Sequence, residues 1–213
     1  MTLGEIKIEA LKLMFAGSGR DITVEDLDTM QDEEDYRDYL LGMTGAINRC
    51  LADIEEKRVL PLCSRMLPAE DGEAAGAFMR FDLSALIEDF FDIDRLTYLR
   101  GGTYDGDVPY CREGNVIMIC DFEEDAEYRV LYRPTVGRMT AYAPHSTDIG
   151  VPDSIAVYIP HYIKGDLFRV DEPNEAGEAR NWYEAALSEI AASEKRKDGV
   201  TRHVREVYSF SEV

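Results

Sequence analysis

An α+β fold is expected: an α-helical bundle formed by the N- and C-terminal helices, with a small antiparallel β module inserted between them. Three observations predict it. Apolar residues recur at helical spacing towards both ends of the chain, and in the middle the period drops to two. The central pieces are also short and joined by tight turns, which favours antiparallel pairing over parallel strands with crossover helices. The expected boundaries are 1–68 and 150–199 for the helical bundle, 69–149 for the β-rich insertion and 200–213 for a C-terminal tail.

The first helix is announced by Thr2-x-x-Glu5, the form of a capping box, followed by Leu3, Ile6, Ala10, Leu13 and Met14 at helical spacing. Ala16-Gly-Ser-Gly19 ends it. Thr23-x-x-Asp26 opens a second, short helix through Leu27 and Met30. Tyr36, Leu40, Met43, Ile47, Cys50 and Ile54 then form one continuous apolar seam, in a helix expected from Glu33 to Arg58 and ~39 Å long at 1.5 Å per residue. Pro61 and Pro68 are expected to close it, with 69–76 as an exposed connection.

The change of period follows. Ala77, Met79 and Phe81 share one face of a strand with Arg80 and Asp82 opposite. Ile93 to Leu99 is a further strand, bounded by Gly101-Gly102. Asn115 to Cys120 reads as a buried strand entered through the Glu113-Gly114 turn, and Tyr128 to Arg133 alternates again. Together these read as a meander.

Helical spacing returns after Pro152. Ile155, Ala156, Ile159, Tyr162 and Ile163 define a helix to Leu167, with a kink expected at Pro160. A last helix begins at Asp171 or Asn174, carries the inner stripe Ala179, Trp182, Tyr183, Ala186, Leu187 and Ile190, and ends at Lys195–Gly199. Beyond Gly199, Val200, Arg202 and Val204 alternate, and a strand without a local partner is expected. Val204, Val207, Tyr208 and Phe210 are the candidate protein-interaction residues, by strand addition to a neighbouring subunit.

Composition narrows the function. With 45% hydrophobic residues in 213, the chain can bury a core. No apolar run approaches the roughly 20 residues that cross a bilayer, and Glu5 and Lys7 stand where a signal peptide has its apolar core. A soluble protein made in a cytoplasm is expected, with no membrane partner. The net charge of -20 repels a phosphate backbone, so no sequence-specific nucleic-acid binding is expected; an acidic surface suits a conduit along which DNA slides without sticking. The cluster Lys195-Arg196-Lys197 reads as solvated charge at a helix end.

Chemistry is sparse. Cys50, Cys63, Cys111 and Cys120 lack metal-ligand spacing, and core packing is the reading for Cys50 and Cys120. The three histidines, His145, His161 and His203, are read as surface or packing residues, although His145 lies close in sequence to Asp148. No G-x-S-x-G and no phosphate cradle occurs. Asp92-x-Asp94 and Asp105-x-Asp107 place carboxylates two apart, but no full loop of alternating oxygen ligands accompanies them. Glu123-Glu-Asp125 reads as a hairpin tip. No catalytic residue, metal or cofactor is expected. Twelve tyrosines and one tryptophan suit protein interfaces, while Tyr36, Tyr128, Tyr158 and Trp182, at periodic positions, are assigned to the core.

Ile149-Gly-Val-Pro-Asp153, Ala156-Val-Tyr-Ile-Pro160, Lys164-Gly-Asp-Leu-Phe168 and Ala179-Arg-Asn-Trp-Tyr-Glu-Ala-Ala-Leu187 together resemble the C-terminal helical pair of the head-to-tail adaptor (connector or neck) proteins of tailed bacteriophages. The strands ending in Tyr128-Arg-Val-Leu-Tyr-Arg-Pro134 resemble that family's β insertion, and the N-terminal run resembles its opening helices. The resemblance implies a structural, non-catalytic virion or prophage protein, assembled as a ring, often of twelve copies, beneath the portal. It implies portal and tail or nozzle proteins as partners, and a site at the head–tail junction extending the DNA channel. The alternatives are a small cytoplasmic bacterial regulatory or protein-binding module and a hydrolase using His145 and Asp148.

Overall fold

The computed structural model describes residues 1–15, 21–100, 103–120, 122–123 and 127–208, with side chains described for these except 99–100, 103–105 and 195–208. The fold is α+β with antiparallel sheets, and the chain divides into two compact units: residues 1–59 with 136–213, and residues 60–135.

The first unit contains α1 (Leu3–Met14), α2 (Asp26–Met30), α3 (Glu34–Glu56), and, after the sheet unit, α5 (Asp153–Ala156), α6 (Ile159–Leu167) and α7 (Pro173–Tyr208). Thr2 and Glu5 form the reciprocal capping box that starts α1: Thr2 Oγ1 accepts from Glu5 N–H, and Glu5 Oε2 from Thr2 N–H at 2.8 Å. The next donors of that first turn go elsewhere. Leu3 and Gly4 N–H donate to the carbonyls of Thr147 and His145, each at 2.8 Å, so the 145–148 loop completes the helix start. A Cβ on Gly4 would stand 3.1 Å from that same carbonyl, which is why a glycine sits there.

α6 lies at the centre of this unit, packed on by α1, α3 and α7. Gly165 lets α7 approach: a Cβ there would meet the Ala176 carbonyl at 3.2 Å and Arg180 N at 3.3 Å. The seam of α3 is buried as its spacing predicts, at Leu40, Met43, Ile47, Cys50 and Ile54; α3 packs on α6, and Cys50 meets Tyr183 of α7. Tyr36 and Tyr39 instead join an edge-on aromatic cluster with Phe15 and Phe168. α3 stops before Pro61: Arg58, at φ 56°, takes the left-handed conformation that turns the chain out of a helix.

The returning chain is fixed to α3 by side chains. Glu55, 7% exposed, accepts from Val136 N–H and from both terminal nitrogens of Arg138. Asn48 donates to the Met139 carbonyl and accepts from Met139 N–H, both at 2.8 Å, as a strand would.

The second unit holds β1 (Cys63–Leu67), β2 (Glu73–Ala75), β3 (Phe78–Asp82), α4 (Leu83–Leu86), β4 (Phe90–Arg100), β5 (Thr103–Asp107), β6 (Tyr110–Glu113), β7 (Val116–Cys120) and β8 (Glu127–Pro134). Two four-stranded antiparallel sheets form, ordered β1-β8-β4-β5 and β2-β3-β7-β6. Both contribute to one core, with Leu67, Ile93, Leu96, Val130 and Tyr132 from the first and Phe81, Ile117 and Ile119 from the second. The long β4 is irregular against β8 near Asp92 and Arg95, where bulges bend a strand that would otherwise outrun its partner.

Several expectations are corrected here. The boundary expected at 68/69 falls beyond a strand, because β1 pairs with β8 from Cys63↔Tyr132 to Leu67↔Tyr128. At the other end, 136–149 belongs with the helices through the Glu55 and Asn48 anchors. The supposed connection 69–76 contains β2. The strands do not form a meander, since β8 inserts between β1 and β4. The kinked helix at Pro160 is two helices, with the proline in the first turn of α6, where its missing N–H costs nothing. Finally, α7 does not end at Gly199 but continues to Tyr208, so Val204, Val207 and Tyr208 lie on helix rather than strand. One interior glycine costs only ~1 kcal/mol, and Val200, Val204 and Val207 fit steps of four and three at least as well as alternation.

Candidate functional site

An open groove of about 870 Å³ runs along the helical unit between α1 and the α5–α6 segment. Its apolar walls are Ile8 and Leu13 of α1 with Ile22, and Val157 and Pro160 of the second segment. Its charged lining is Glu5, Glu9, Lys12, Asp153 and the N-terminal amine. The helix starts explain this arrangement. Capping places Glu5 in the first turn of α1, and Pro152 places Asp153 in the first turn of α5, both favourable with the helix dipole. The amine is 2.6 Å from Asp153, and Lys12 Nζ is 2.9 Å from Glu9. Asp153, Asp148 and Glu5 all raise the amine above its ordinary pKa, the Asp153 hydrogen bond foremost; Glu9 does the same for Lys12, with help from Asp21. Five carboxylates thus act on two cations.

His161 closes one end of the groove, and the Trp182 indole stacks on it with ring centroids 6.2 Å apart and planes at 21°. Burial, and secondarily the Lys164 ammonium, push His161 below the usual histidine range, so it is neutral at pH 7. Trp182 is 67% exposed and Val157 47%. The expected core role of Trp182 is therefore overturned. Trp182 and Tyr183 are adjacent on a helix, about 100° apart, and only one of them can face inwards. Tyr183 does, fully buried. That adjacency was the available sequence signal for an exposed tryptophan.

α3 and α7 are joined by a polar network. Tyr183 O–H donates to Asp53 at 2.8 Å and the Cys50 thiol donates to Tyr183 Oη at 3.5 Å. Lys57 bridges Asp53 at 2.7 Å and Glu184 at 2.6 Å, while the Arg180 guanidinium lies 4.2 Å from the Tyr162 ring centre. Burial raises Tyr183 strongly, and it raises Cys50 to about 12 against the partial relief of the Tyr183 hydrogen bond. Cys50 is thus a packing thiol, not a nucleophile. At pH 8, iodoacetamide is expected to modify the exposed Cys111 and Cys120 of the native protein rapidly and Cys50 only after denaturation. Peptide mapping checks this; native labelling of Cys50 would contradict it. Because the folded-state pKa is the higher one, this group's contribution to stability is intact below pH ~9 and declines as pH rises towards 12.

The remaining expected residues are scattered. His145 Nε2 stands 3.3 Å from Asp28, while Asp148 accepts from Gly150 N–H, so the structure does not pair His145 with Asp148. Asp92 is paired with Arg112, and Asp94 with Arg95. Cys120 is exposed, contrary to the core assignment, because it faces outwards at the end of β7. Tyr128 is buried in the sheet unit and Tyr158 half-buried. Val204, Val207 and Tyr208 occupy the last turns of α7; Phe210 and the tip residues Glu124 and Asp125 lie outside the described residues. Among the described residues, no helix is long and apolar enough to cross a membrane.

No protein-family model matches the chain, and no curated protein is significantly similar to it in sequence.

Proposed function

We propose that the chain is a structural, non-catalytic virion protein: a head-to-tail adaptor that assembles as a ring beneath a portal and docks the tail. The N- and C-terminal helices form its bundle, and the sheet unit is the module inserted into it. The observation that carries the reading is the apolar surface left uncovered on the helical unit. Val157, the groove walls and the stacked His161–Trp182 pair are contiguous, and Leu41 and Val170 are exposed as well, at 67% and 83%. On a chain of net charge -20, a two-thirds exposed tryptophan beside a groove with apolar walls marks a surface suited to an interface, where aromatic residues concentrate. A ring of copies buries such surfaces repeatedly and accumulates affinity that a single pair lacks. The acidic surface also agrees with a conduit that releases DNA.

Deletion of the gene from the source prophage tests the reading. After induction, electron microscopy is expected to show DNA-filled heads and free tails that are not joined. Intact, infectious virions from the deletion strain would refute it.

A further inference from the structure

Resting on the self-assembly part of that reading, we propose that the C-terminal stretch of α7, residues 195–208, lies in the α1/α5–α6 groove of the next copy. Three observations meet here. The groove has apolar walls within a charged lining and carries more carboxylates than cations: Glu5, Glu9 and Asp153 line it, Asp21 and Asp148 stand close, and among the described residues Lys12 and the N-terminal amine oppose them, with Lys164 near the His161 end. The stretch is its complement. Lys195, Arg196, Lys197, Arg202 and Arg205 outnumber Asp198 and Glu206, and Val200, Val204 and Val207 fall at i, i+4 and i+7, one face of a helix. An amphipathic helix with one apolar face is the shape that such a groove accepts.

Chain geometry decides which copy supplies the helix. α7 runs unbroken from Pro173 to Tyr208, and Trp182, at the groove's end, lies 22 residues before Val204. At 1.5 Å per residue that is ~33 Å along a helix which does not turn back. The stretch therefore reaches a neighbour's groove rather than its own. Because each copy offers one groove and one helix end at different places, the contact is heterologous and propagates around a ring.

A charge-exchange experiment on the full chain tests this, with light scattering across a concentration series at low and high salt. Reversing the groove (Glu9→Lys with Asp153→Lys) or the helix end (Arg202→Glu with Arg205→Glu) is expected to weaken self-association at least ~tenfold, since like charges then face one another. Combining both reversals in one chain is expected to restore it, and circular dichroism confirms that all variants are folded. Unchanged association of the single reversals overturns the contact, as does a combined variant that stays dissociated or a wild-type chain that is monomeric throughout. Loss of portal capture by the helix-end reversal with self-association intact assigns the stretch to the portal instead. That outcome overturns the contact and leaves the adaptor reading standing.

Discussion

Replacing Glu55 by alanine is expected to destabilise the helical unit by ~2–3 kcal/mol, the cost of leaving a buried backbone donor unmatched together with the loss of hydrogen bonds to a charged group. Glu55 ties the returning chain to the end of α3: it sits in the last turn of that helix and accepts from Val136 N–H and from Arg138. Alanine leaves the buried Val136 donor unmatched and removes the partner of a half-exposed guanidinium. Glu55→Gln keeps an acceptor for Val136 N–H, and its cost is expected to be smaller, ~1–2 kcal/mol. Denaturant titration followed by helical circular dichroism measures both. For a chain of this size the alanine variant should melt about 5–10 °C lower. A shift within ~1 kcal/mol for Glu55→Ala would show that the anchor is dispensable.

Phe81→Ala is expected to cost the sheet unit ~3–5 kcal/mol, the range for a fully buried phenylalanine. Phe81 is wholly inaccessible in β3, between β2 and β7, and packs on Phe122 with centroids 5.8 Å apart. Gly72 gives it room: a Cβ there would come 2.9 Å from the Phe81 ring. A loss this large takes most of the stability available to a small domain. The two units cluster separately, so amide exchange should rise across β3, β7 and β8 while α3 and α6 keep their protection. Phe81→Leu, which conserves most of the volume, should cost ~1.5 kcal/mol or less. Equal loss of protection in both units would contradict the division.

What was legible in the sequence follows from burial. α1, α3, β3, β7 and β8 each bury one face, so each writes its own period into the chain. β1, β2 and β6 were missed because they are edge strands: only Leu67 of β1 is buried, β2 is exposed throughout, and β6 is exposed but for Tyr110. Without a buried face there is no alternation to read. The insertion of β8 between β1 and β4 joins residues some 65 positions apart and has no local signature. The groove was equally hidden. Ile8 and Leu13 of α1 meet Val157 and Pro160 only once the ends of the chain are brought together, and the stripe that included Trp182 was too wide for one helix face.

The central claim is tested most directly by capturing the tagged full-length chain from source cells after prophage induction and identifying its partners by mass spectrometry. The adaptor reading predicts recovery of a portal or tail protein. Recovery of host metabolic or regulatory proteins alone, with virion proteins present in the same lysate, would contradict it and favour a cytoplasmic binding module.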